Sequence, residues 1–211
     1  ACQNHTDGVE DLSSYVNPFI GTSVKADTEQ SFNSMGKTFP GAATPFGMTQ
    51  VSPNTITGGD NGSGYGYQHK TIEGFAFTQM SGIGWYGDLG NFLVMPTTGE
   101  LHVVAGKESD PEKKGYRSEY DKASEAASAG YYTARLTKYD ILTEATASPH
   151  GGALRFTYPA SDLSRIQIDL ARRVGGTSTT QYVEVVNDNT IRGWMKCTPE
   201  GGGWGDGYGN P

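Results

Sequence analysis

Hydrophobic and polar positions along much of this chain alternate with a period of two, the spacing of a strand with one face buried, and not with the 3.6 period of a helix. In residues 165–170 (RIQIDL), Ile166, Ile168 and Leu170 share one face while Gln167 and Asp169 share the other. Ile141, Thr143, Ala145 and Ala147 alternate in the same way with Leu142, Glu144 and Thr146. Residues 131–136 (YYTARL), 154–158 (LRFTY) and 92–95 (FLVM) read as further strands. Two β-rich runs, 181–186 and 190–196, are joined through Asn187-Asp188-Asn189, residues that tolerate left-handed backbone, so they predict a hairpin. The best helix candidate, 122–129 (KASEAASA), has good propensity but no apolar stripe, and is expected to be a short turn or loop. Many short strands between turn signals predict an all-β fold, an antiparallel β-sandwich.

Size and composition fit that picture. The 211 residues suit one ordinary domain or a large piece of one, long enough to bury a core without disulfide help. A net charge of -7, with no basic run longer than Lys113-Lys114, excludes the electrostatic footprint of a nucleic-acid or anionic-membrane binder. The amino terminus carries an address: Ala1-Cys2 before a polar stretch is what remains when a bacterial lipoprotein signal is cut ahead of its lipid-bearing cysteine. On that reading residues 1–14 are a tether, Cys2 is the lipidation site, and the protein sits at the periplasmic or cell surface, touching a membrane only through its anchor. A bridge from Cys2 to Cys197 is the plainer alternative; otherwise Cys197 is a packed strand residue.

Glycine, 30 of 211 residues, concentrates with proline in 36–55 and 80–96, where the pair fixes a defined loop path and sets aromatic rings on it. Tyr65, Tyr67, Trp85 and Tyr86, beside Asn61, Gln68, Gln79 and Ser81, supply flat apolar faces edged by neutral hydrogen-bonding groups. A sugar has the matching surface, a C–H face rimmed by hydroxyls. Phe75 and Phe77 are expected in the core, as is Trp194 in its hairpin, while Trp204 joins the same site or a loop. Gly82, Gly84 and Gly87 spell a dinucleotide motif, but the residues that follow hold two glycines and a proline where the motif needs a helix amino terminus. His5, His69, His102 and His150 are too dispersed for a metal cluster. Asp60, Glu73 and Asp88 offer a carboxylate pair for sugar chemistry, although hydrogen bonding to loop amides is the favoured role.

At these residues the chain resembles a known family. Residues 15–21 (YVNPFIG), 38–42 (TFPGA), 45–50 (PFGMTQ), 52–54 (SPN), 74–84 (GFAFTQMSGIG) and 93–99 (LVMPTTG), continued by 116–136 and 145–158, look like the amino-terminal domain of glycoside hydrolase family 92, the exo-acting α-mannosidases abundant in gut Bacteroidetes. Lys37 departs from the pattern, where the family has His or Asn. The resemblance implies a galactose-mutarotase-like supersandwich over 15–211, incomplete at its carboxyl end and packed in the whole enzyme against a larger (α/α)6-barrel. It implies Ca2+-dependent, inverting hydrolysis of terminal α-mannose on glycans, α-1,2-linked, with acid, base and calcium ligands all on the barrel, so no catalytic or metal residue is assigned in this chain. What it assigns here is a pocket wall, with Ser81, Gly82, Gly84, Trp85 and Tyr86 as substrate-binding residues. A stand-alone carbohydrate-binding module is the alternative.

Overall fold

The computed structural model describes residues 10–23, 38–55, 63–79, 89–108, 115–173 and 176–197. Among these there are fourteen strands, one 3-10 turn at Leu12–Tyr15 and no α-helix, and every strand pairing is antiparallel. The chain is an antiparallel β-sandwich, as the alternation predicts. In chain order the first strands are β1 (Ala42–Ala43), β2 (Gln50–Asn54), β3 (Thr71–Ile72), β4 (Gly74–Ala76), β5 (Leu93–Thr97) and β6 (Ser118–Glu119). They are followed by β7 (Ala126–Ser128), β8 (Tyr131–Leu136), β9 (Ile141–Ser148), β10 (Gly151–Thr157) and β11 (Arg165–Asp169). The last are β12 (Arg172–Arg173), β13 (Gly176–Asn187) and β14 (Thr190–Cys197).

Two sheets make the sandwich. One runs β1-β2-β4-β5-β11, the other β10-β9-β8-β7; β12-β13-β14 and β3-β6 form smaller sheets. Along β8 and β9 the period of two turns Tyr132, Ala134, Leu136, Ile141 and Ala145 inward, where they share one cluster with Val51 and Phe75 of the opposite sheet. The Phe75 ring lies 6.3 Å from Tyr132 and 6.4 Å from Phe156, so one aromatic links β4 to both β8 and β10. Each such fully buried side chain contributes about 1.5–3 kcal/mol. Gly152 lets the sheets meet: a Cβ there would lie 2.3 Å from Val51 Cγ2 and 2.9 Å from the Phe77 ring.

Several expectations change in detail. Residues 122–124 are a turn as predicted, but 126–128 form β7, because their backbone groups complete the edge of β8. The alternation in β11 holds, yet the side that pattern predicts to be buried is the exposed one: Ile166 is 59% exposed. The polar face does the linking instead. Thr97 Oγ1 donates to Gln167 Oε1 at 2.7 Å, Gln167 Nε2 donates to the His102 carbonyl at 2.8 Å, and the Tyr116 hydroxyl donates to Asp169 Oδ2 at 2.5 Å. The hairpin is present with a two-residue turn at Asp188-Asn189, and the turn needs no left-handed residue, since the non-glycine residues with positive φ are Phe46, Phe92 and Asp140 among those described. Trp194 is not packed in a core: it is 51% exposed and stacks on its cross-strand partner Tyr182, centroids 6.1 Å apart.

Candidate functional site

The segments flanking the two glycine-and-proline loops meet around β2, β3 and β4, and their chemistry is a set of buried polar clusters. Cys2, Asp60, Asn61, Ser81, Gly82, Gly84, Trp85, Tyr86, Asp88 and Trp204 lie outside the described residues. Of the other residues expected around the site, Tyr65, Tyr67, Gln68, Glu73 and Gln79 are described.

Tyr65 is a core residue rather than an open sugar platform. Its hydroxyl donates to Glu125 Oε1 at 2.7 Å, and the Tyr132 hydroxyl donates to the same oxygen at 2.8 Å. Lys122 Nζ completes the cluster with bonds to Glu125 Oε2 at 2.7 Å and to the Tyr65 hydroxyl at 3.0 Å. The ammonium also lies 4.3 Å from the centroid of Tyr67 and 4.6 Å from that of Tyr120, an aromatic cage filled by the chain's own cation. Burial first, and then the Glu125 charge, pushes the Tyr120 and Tyr132 hydroxyls well above the usual tyrosine range, and burial lowers Lys122. Tyr67 keeps 43% of its surface exposed but is braced by Phe19, edge-on at 5.8 Å. Nothing in the period-two pattern singles out Glu125, which sits in the weak 122–129 segment; the consecutive Tyr131 and Tyr132 are the sequence signal that one ring points inward and needs a hydroxyl partner.

Glu73 is not one of a free carboxylate pair. It is fully buried between β3 and β4, paired with the Arg117 guanidinium and with Arg172 Nη2 at 3.3 Å. Arg117 Nη1 also donates to Thr71 Oγ1 at 2.7 Å and to the Thr55 carbonyl at 3.2 Å, so one guanidinium ties three strand ends together. Burial, and then the Arg172 charge, lowers the Arg117 guanidinium to about 10. Thr55 Oγ1 in turn accepts from the Gly66 amide at 3.0 Å and hydrogen-bonds His69 Nδ1 at 2.8 Å, and burial lowers His69 from its ordinary value. At Gly66 a Cβ would stand 2.7 Å from His69 Cε1, so a larger residue there would displace the imidazole.

Gln79 closes the other end. Its amide donates to Gln50 Oε1 at 3.4 Å, and its side chain reaches Asn54 Oδ1 at 3.0 Å. Among the described residues no group of three or more His, Cys, Asp or Glu is placed to hold a metal. The buried carboxylates Glu73 and Glu125 are already matched by arginine and lysine, so this donor set does not fit a calcium ion.

This β-sandwich has known counterparts. Residues 15–209 match the glycosyl hydrolase family 92 N-terminal domain. The chain belongs to glycosyl hydrolase family 92. Among solved structures it is similar to a family 92 alpha-mannosidase of Bacteroides thetaiotaomicron, 40% identical with a TM-score of 0.79, the match covering 88% of this chain and 23% of that one. The same mannosidase is also known in complex with mannoimidazole. An inverting family 92 mannosidase of the same species is 28% identical with a TM-score of 0.55 over 73% of this chain and 19% of its own. An uncharacterized secreted glycosidase of Arthroderma benhamiae is 26% identical over 149 residues, 71% of this family 92 chain and 18% of the relative. The chain thus spans less than a quarter of the length of the relatives it matches.

Proposed function

We propose that this family 92 domain is the amino-terminal portion of a secreted or surface-held, calcium-dependent, inverting exo-α-mannosidase acting on α-1,2-linked mannose of glycans. The observation that carries this reading is the 40% identity to an alpha-mannosidase across 88% of the chain. In this reading the domain lines the substrate pocket through Ser81, Gly82, Gly84, Trp85 and Tyr86, with the ring of Trp85 presented to a sugar face. The acid and base lie outside the chain, on a carboxyl-terminal barrel domain; the pairing of the buried carboxylates with Arg117, Arg172 and Lys122 supports that division, because it holds both as structural anions. Calcium, bound in the longer protein, would hold two mannose hydroxyls. Residues 1–14 serve as a tether with lipid on Cys2.

The test compares two proteins on an aryl α-mannoside. The longer protein should hydrolyse it with calcium present and lose that activity to a chelator, with the product emerging in the inverted anomeric form. The 211 residues alone should show no turnover, and turnover by them would refute the division of labour.

A further inference from the structure

One face of β2 is polar and closed. Ser52 and Asn54 stand two residues apart on it, so their side chains share a side of the sheet, and both are fully buried. Gln79, 4% exposed, reaches over them: its Nε2 donates to Asn54 Oδ1 at 3.0 Å and to the Ser52 carbonyl at 3.4 Å. This leaves a buried polar atom on each of the three residues with no hydrogen-bond partner, Asn54 Nδ2, Gln79 Oε1 and Ser52 Oγ. Leaving such an atom unmet forfeits its hydration without a return. Native interiors satisfy such groups, by protein or by ordered water.

We propose that Ser52, Asn54 and Gln79 form a seat for one buried water molecule. The three atoms are a donor, an acceptor and a hydroxyl, the set that one water satisfies at once: it accepts from Asn54 Nδ2, donates to Gln79 Oε1 and shares its third bond with Ser52 Oγ. Two amides joined by a single hydrogen bond become a closed ring through it. A neutral hydroxyl is the ligand because no charged group belongs to the set, and burial excludes a saccharide as its source. On the neighbouring strand Ala76 and Gly74 stand opposite Ser52 and Asn54.

The seat fixes Gln79 by side chain as well as by its amide bond to Gln50, at the point where the chain enters residues 80–88. Gln79 is therefore a positioning residue, a consequence that rests on the pocket-wall reading of Ser81 to Tyr86. A crystal structure of the full-length enzyme at about 1.8 Å resolution tests the seat directly, with one peak expected within hydrogen-bond distance of all three side chains. Absence of that peak, with the two amides paired to each other, overturns the proposal, as does a peak that persists in Gln79→Met. In kinetics with an aryl α-mannoside, Gln79→Met should raise KM about fivefold with kcat little changed, the size of one lost hydrogen bond. Ser52→Ala, which removes a single partner, should keep the peak and give a smaller KM change. A peak with unmoved KM upholds the seat and counts instead against the pocket wall.

Discussion

Tyr131 and Tyr132 are neighbours in β8, and each donates its hydroxyl to a glutamate that also holds a cation. Tyr132 turns inward to Glu125 and Lys122; Tyr131 turns outward to Glu144 at 2.6 Å, where Arg155 grips both carboxylate oxygens at 2.5 Å. The chemistry is the same and the surroundings are opposite. In the inner cluster Glu125 is 1% exposed and no solvent replaces a partner it loses, whereas in the outer pair Arg155 is 75% exposed and water reaches it. Two adjacent residues thus separate what the interaction is from what it contributes.

The largest effect should come from breaking the inner cluster. Glu125→Gln removes the acceptor shared by two tyrosines and leaves Lys122 without its counter-charge, so denaturant unfolding should show a loss of about 3 kcal/mol or more. Tyr132→Phe keeps the ring and deletes one donor, and should cost about 1–2 kcal/mol in the same assay. The contrast breaks if the two inner variants unfold like wild type.

A pH titration sharpens it next. Tyr65, Tyr120 and Tyr132 are raised by burial above their ordinary value of 10, so they stay protonated in the folded state while the unfolded chain ionises. Stability from these groups is complete below about pH 10 and falls as pH rises beyond it. The share of the tyrosine absorbance change that these three supply should therefore coincide with unfolding; completion of the whole tyrosine change before unfolding would refute the inner location. The outer pair behaves in the opposite sense. Hydrogen bonds from Arg155, and then Tyr131, lower Glu144 from 4.5 to about 2, so what it contributes is present above pH 4.5 and fades as pH falls toward 2. With Arg155 75% exposed the outer pair is screened on that side and should contribute less: Glu144→Gln should lower the melting temperature less than Glu125→Gln does, and an equal drop would show that water does not replace its partners.

Much of the sandwich was legible because period two needs no partner to be seen. Tyr131 to Leu136 and Ile141 to Ser148 alternate in sequence and alternate in burial. Where alternation misled, in β11, the pattern gave the two faces but not which one faces inward: Gln167 and Asp169 find Thr97 and Tyr116, residues 70 and 53 positions away. The aromatic-platform expectation for Tyr65 failed for a related reason. Composition shows that a ring is near glycine, but only the arrival of Glu125, 60 residues later in the chain, makes that ring a hydrogen-bonded core member.

Sequence by itself determined the class of fold and the family, since strand periodicity, turn residues and motifs such as TFPGA and PFGMTQ are local properties of the chain. Tertiary structure alone decided which charges are buried and paired. Glu73 meets Arg172 across 99 residues, and Glu125 meets Tyr65 across 60, and no local pattern encodes a partner brought in by the folding of another sheet. The electrostatics of a buried group depend on what surrounds it in space, which is the one thing a linear order of residues leaves open.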